Sequence, residues 1–277
     1  MGNNCYAKNM LKDRQSGQVF LVALLVMVVA FTVGLSVASK TIVSLRTSRE
    51  ETSSKKALAA AEAGIEQVLK LPTPIPIGTS FSGEPNTTYG ATVGEVLGDK
   101  VLVNGGNVIS KDDGADIWLV DHNSDGTPNF TTPWSGKLTI YWGDTSGACT
   151  NAAIEIAVIS GPVASPVLKR YAYDPCTSRE NNFSSVLGGG NVSGKAFSYS
   201  ASAISVSSGF LARVVPLYAS SSIGVVGEDS FGRPLALPSQ GTVINATGES
   251  SGTKRNLSVF KGYPQLPVQY LYGLFSP

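Results

Sequence analysis

The chain has 277 residues, 15% of them charged, and a formal net charge of only +1. That near-neutrality hides an asymmetry: residues 1–70 carry nine Lys/Arg against five Asp/Glu, whereas residues 71–277 carry twelve against fifteen. A nucleic-acid binder concentrates positive charge on its folded part to neutralise phosphate, so nucleic acid is not expected as a partner.

Met1–Gly17 is polar and basic and ends in DRQSG directly against an apolar run. The run, QVFLVALLVMVVAFTVGLSVAS from Gln18 to Ser39, is about 22 residues long and carries no charge. A helix of that length crosses a hydrocarbon core of ~30 Å, and one apolar on all faces does not belong on the surface of a soluble core. Its direction is contested. Lys8, Lys12 and Arg14 precede it, and the larger basic group Lys40, Arg46, Arg49, Lys55 and Lys56 follows it. Taken alone, that order places the C-terminal domain in the cytoplasm. Two processing sites compete. Ser36-Val37-Ala38 is a small-x-small triplet at the end of the run, but the run is longer than the ~7–15 residues of a secretory signal. Gly17 stands before the run instead.

Beyond Lys40 the sequence continues as helix until Leu71-Pro72. Glu51 and Lys55 are spaced for an ion pair on one helix face, and Arg46 and Glu50 are spaced likewise. Leu58, Ala61, Ile65, Val68 and Leu69 recur at helical spacing as one apolar stripe, and Pro72, Pro74 and Pro76 end the helix. The expectation is one helix from about Gln18 to Lys70, ~80 Å long at 1.5 Å per residue. Its first half would lie in lipid and its second half would lay the stripe on a globular domain.

Three features together, the glycine before the run, the run itself and Ala60-Ala61-Glu62-Ala63-Gly64 with Glu66 inside KKALAAAEAGIEQVL, resemble the type IV pilin-like superfamily. The likeness is to PilX-like minor pilins and the K-type minor pseudopilins of type II secretion, and it covers about a quarter of the chain. The resemblance implies cleavage after Gly17 by a prepilin peptidase and methylation of the new N-terminus, Gln18. It also implies a single-pass protein of the inner (cytoplasmic) membrane with an extracytoplasmic C-terminal domain. Membrane lipid and other pilin-like subunits would be its partners, the latter in a filament at the cell surface. Val22 stands at the fifth mature position, where most major pilins have glutamate. That departure implies an accessory or tip subunit rather than a fibre-building one.

The expected fold class is α+β, a long N-terminal helix followed by a β-rich antiparallel outer domain. The divisions are leader 1–17, membrane helix 18–39, amphipathic helix 40–71 and outer domain 72–277. Strands are expected at Tyr89–Leu97, Lys100–Asn104, Asp116–Asp121, Lys137–Trp142, Ala152–Ser160 and Val167–Tyr173. Others are expected at Ala196–Val206, Leu211–Tyr218, Gly241–Ala246 and Lys254–Gly262. Gly188-Gly189-Gly190 marks either a long hairpin loop or a boundary between two β lobes near 187–195.

Asp121, Asn123 and Asp125 followed by Gly126 match the first half of a calcium loop, in which alternate oxygens meet one hard cation. The twelfth position is Thr132 rather than glutamate, which excludes a complete EF-hand. Asn, Asp and Gly also make ordinary turns unaided. No cofactor is required, and structural calcium is the one that the residues suggest. Cys149 and Cys176 form a pair beyond the membrane run, able to bridge in an oxidising compartment or to remain buried thiols; Cys5 precedes the run. Trp118, Trp134 and Trp142 read as core residues before they read as a sugar platform. No catalytic residues are assigned, because His122 is the single histidine and no nucleophile stands beside it. The alternatives to a filament subunit are a fixed surface protein whose β domain binds carbohydrate or an envelope partner, and an anchored hydrolase using Asp112, Asp113 and Asp116.

Overall fold

The computed structural model of the chain describes residues 15–123, 125–144 and 147–265. Residues 1–14, most of the expected leader and Cys5 with it, lie outside the described residues. Among these residues one α-helix, α1 (Gln15–Lys70), is followed by fifteen strands. These are β1 (Ile75–Ser80), β2 (Thr87–Glu95), β3 (Lys100–Leu102), β4 (Ala115–Trp118), β5 (Asp121–His122), β6 (Pro128–Asn129), β7 (Trp134–Trp142) and β8 (Ala153–Ser160). After them come β9 (Val167–Tyr173), β10 (Leu187–Val192), β11 (Lys195–Ser200), β12 (Ile204–Leu217), β13 (Ile223–Glu228), β14 (Gly241–Ser250) and β15 (Thr253–Gly262). The fold is α+β, with antiparallel pairing throughout the named strands.

At 56 residues, α1 is about 84 Å long at 1.5 Å per residue. It runs without a break from inside the expected leader to the residue before Leu71, because no proline interrupts it until Pro72. Every residue from Gln18 to Thr52 is exposed, whereas Ala57, Ala60, Ala61, Gly64, Ile65 and Val68 are buried. The helix is therefore bare over its first two thirds and packed over its last turns.

It packs on a four-stranded sheet in the order β1-β2-β14-β15. Alternate residues face the helix, as the period of two requires: Ala91 of β2 and Ile244 and Ala246 of β14 join Ala61, Ile65 and Val68 in one cluster. The opposite face is polar, with Thr247 Oγ1 donating to Asn256 Oδ1 at 2.9 Å. β2 and β14 are neighbours in space although their partners Ala91 and Ala246 are 155 residues apart in the chain, so everything from Val96 to Gln240 is inserted between the two strands.

That insertion forms a nine-stranded sheet in which β10-β11-β7-β12-β8-β9 make the main path and β13, β3 and β4 branch from it. β12 pairs with β7 from Ile204 to Gly209, with a register shift after Val206, with β8 from Gly209 onward and with β4 from Leu211 onward. At the change of partner Ser208 has φ +51°, the backbone of a bulge that bends a strand from one layer into another. Both parts share one core, which includes Leu138, Ile140, Trp142, Ile154, Ile156 and Val214.

Parts of the expectation are corrected. Leu58 and Leu69, the two ends of the expected stripe, are 39% and 40% exposed; its middle, Ala61, Ile65 and Val68, is docked, with Ala57 and Gly64 buried beside it. Of the two readings of the triple glycine, the structure agrees with the hairpin, with the glycines on its first strand rather than in its loop: Gly188 and Gly190 pair with Tyr199 and Phe197 in the β10–β11 hairpin. The division between sheets follows the insertion instead. Strands β1, β10 and β13 were not expected, because prolines, glycines and a short Ile-Gly-Val-Val stretch carry weak strand signals.

Candidate functional site

The functional candidate with a built geometry is the stem: where α1 leaves the sheet and becomes bare. Contact there depends on small residues. A Cβ added to Gly248 would lie 1.9 Å from the carbonyl oxygen of Ala57, and one added to Gly64 would lie 3.2 Å from Tyr89 Cδ2 and 3.5 Å from Ala246 Cβ. Helix and strand backbones approach this closely only because glycine faces alanine. Of the signature residues, Ala60, Ala61 and Gly64 are buried in this seam, Ala63 is half-buried, and Glu62 and Glu66 face solvent.

Polar contacts border the seam. Tyr89 Oη donates to Gln67 Oε1 at 2.8 Å, Lys56 Nζ lies 2.5 Å from Glu84, and Arg255 donates twice to Ser54 Oγ at 2.9 and 2.7 Å. From Thr52 back to Gln18, toward the N-terminus, every residue of α1 is exposed. Its Gln18–Lys70 stretch is long and apolar enough to cross a membrane, and Val22 lies in that part, 62% exposed. Gly17 and Gln18 are both within the helix rather than ahead of it.

Asp121 and His122 of β5 pair with Asn129 and Pro128 of β6 as a hairpin. Asp125 Oδ1 accepts from Thr127 N at 2.9 Å and from Thr127 Oγ1 at 2.6 Å, which holds its carboxyl below the ordinary carboxylate range. Asn123 turns its amide nitrogen, a donor, toward Thr127 Oγ1 at 3.0 Å. These bonds close a turn through Thr127. His122 instead stacks on Tyr263, with ring centroids 3.5 Å apart, and meets Trp118 edge-on at 4.5 Å. Burial pushes the His122 imidazole below its usual pKa, with Asp121 pulling the other way.

The remaining candidates separate in space. Cys149 and Cys176 are joined, with Cα atoms 4.6 Å apart. Arg179 braces that disulfide, donating to Asp174 Oδ1 at 2.9 Å and to the carbonyls of Cys149 and Asn151 at 2.8 and 2.9 Å. Trp134 and Trp142 are buried, their indole N–H groups donating to the carbonyls of Ala236 and Ala152. Asp112 and Asp113 sit in a turn where Asp113 accepts from Gly114 N. Asp116 is buried against Arg213, with Nε–Oδ1 2.5 Å and Nη2–Oδ2 2.6 Å. The three aspartates therefore do not form one site. The Asp116–Arg213 pair escaped the sequence reading, because an alternating strand gives no sign that one of its charges points inward.

Comparison with known proteins adds no homologue: no family model, no curated protein and no solved structure matches this chain.

Proposed function

We propose that the chain is a minor pilin- or pseudopilin-like structural subunit. It is held in the membrane by Gln18–Ser39 and then assembled through α1, with other pilin-like subunits, into a type IV pilus or a type II secretion-type filament. One observation carries the reading: a single unbroken helix is bare and apolar over the length of a bilayer, then locked to a β domain by a small-residue seam. A bare apolar helix needs lipid or other helices around it. Lipid serves as the store of unassembled subunits, and neighbouring helices replace it in the filament core. The seam makes stem and head move as one body. Val22, in place of the glutamate of major pilins, supports an accessory or tip position.

Intact mass and N-terminal sequencing of the protein recovered from native membranes test the proposal. The expected chain begins at Gln18 and is heavier by one methyl group. A chain beginning at Met1 overturns the filament reading in favour of a fixed anchor, and one beginning at Ser39 overturns it in favour of a secreted domain.

A further inference from the structure

Between α1 and the underside of the β domain lies an open crevice of about 730 Å³. Its helix wall carries Ile42, Leu45, Arg46 and Arg49, and its other wall is the β14–β15 hairpin tip, Ser250, Ser251 and Thr253, with Pro85. We propose that this crevice binds the headgroup of an acidic phospholipid, so that the β domain stands on the bilayer surface. The inference rests on the membrane-anchor part of the reading above, and not on processing or filament assembly.

Position is the first argument. The crevice opens three residues beyond Ser39, about 5 Å above the end of the apolar run at 1.5 Å per residue. A headgroup layer is roughly 5–7 Å deep on each side of the hydrocarbon core. Arg46 and Arg49 start about 10 and 15 Å above Ser39, but side chains on a helix lean toward its N-terminus. Here the N-terminus is the membrane side, and a guanidinium spans several ångströms.

Charge and polarity follow the same order. Lys55 is paired with Glu51 at 2.7 Å and Lys56 with Glu84. Arg46 and Arg49 make no ion pair among the described residues, although Glu50 shares the crevice with them. Guanidinium groups favour phosphate oxygens through paired N–H donors. The hydroxyls of Ser251 and Thr253, which make no side-chain hydrogen bond among the described residues, supply further donors on the facing wall. Below them Ile42 and Leu45 are 67% and 57% exposed, where the first methylenes of an acyl chain would lie. A free phosphate would use the donors and leave those two side chains bare. A lipid uses both.

The test is native mass spectrometry of the full chain released from nanodiscs containing equal amounts of phosphatidylcholine and phosphatidylglycerol, beside vesicle flotation of the same protein. Each Lys/Arg near an anionic surface strengthens binding several-fold, so the expected preference for retained phosphatidylglycerol is on the order of tenfold or more. Arg46→Gln/Arg49→Gln is expected to abolish the preference, Arg46→Lys/Arg49→Lys to keep most of it, and Lys169→Gln on β9 to leave it unchanged. All of them should float with vesicles and keep the wild-type thermal transition. Equal retention of both lipids by a chain that floats overturns the lipid site and leaves the anchor standing. Failure to float overturns the anchor itself. Binding of inorganic phosphate or glycerol 3-phosphate as tightly as the lipid overturns the lipid assignment in favour of a soluble phosphate.

Discussion

Arg213 stands in the middle of β12 with 2% of its side chain exposed, and its fork meets both oxygens of Asp116 on β4. Burial pushes the Asp116 carboxyl up and the guanidinium pulls it back, so the pair depends on both members being present. Removing one leaves the other charge buried and unmatched: Arg213→Met is expected to cost about 3–5 kcal/mol, whereas Asp116→Leu/Arg213→Met should recover most of the loss. Urea unfolding followed by tryptophan fluorescence measures both. Gly248 makes the complementary case, in which volume rather than charge decides. Gly248→Val places methyl groups where the Ala57 carbonyl already is, and overpacking of this kind costs roughly 1–3 kcal/mol or forces the backbones apart. Hydrogen exchange should speed up at Ala57–Val68 in that variant. Gly94→Ala, where nothing lies within 4 Å of the added carbon, should leave exchange unchanged. Neither residue was legible beforehand. A strand sequence shows which positions alternate, but not what backbone or charge lies across from them.

At the scale of elements, α1 was readable almost to its ends. Its length, its apolar first half and its stop at Pro72 are local properties of the chain, decided by charge-free composition and by proline's missing N–H. The docked face was legible only approximately: Leu58 and Leu69 belong to the helical period, but the sheet meets the narrower side carrying Ala57, Ala61 and Gly64, because close backbone approach favours small residues over large ones. Strands rich in β-branched or aromatic residues, β7 and β8 among them, were also visible, whereas β12 was read as two pieces with its start joined to β11. The prolines of β1 and the glycines of β10 hid strands that sit at sheet edges, where such residues are tolerated. The disulfide acts at this scale too. It closes a loop of sequence separation 27, for which chain-entropy arguments give roughly 3–4 kcal/mol. Reduction should therefore lower the thermal midpoint of the β domain clearly, and the Arg179 contacts with the Cys149 and Asn151 carbonyls should loosen with it. Melting curves with and without dithiothreitol check this, with Cys149→Ser/Cys176→Ser expected to match the reduced protein.

For the whole molecule, the proposed function requires lipid, not protein, around the first part of α1 before assembly. A charge at its middle is the direct probe. Val29→Arg is expected to cost about 2.5–3.5 kcal/mol of insertion free energy, enough to move a large share of the protein out of the membrane pellet on alkaline carbonate extraction, with the β domain still folded. Val163→Arg, at an exposed position of the β domain, should change nothing. The N-terminal sequence of the membrane-bound protein then separates a filament subunit from a fixed anchor.

The membrane-length helix, the α+β class and the strands of strongest β propensity could be read from the chain, because each depends on residues near one another along it. Tertiary structure decided the rest. It alone makes β2 and β14 neighbours, with the larger sheet inserted between them. It alone brings the β14–β15 hairpin tip down beside Arg46 and Arg49. Those contacts join segments about 150 to 200 residues apart. No local periodicity records them, since they follow from which apolar faces are left to cover one another once the local elements have formed.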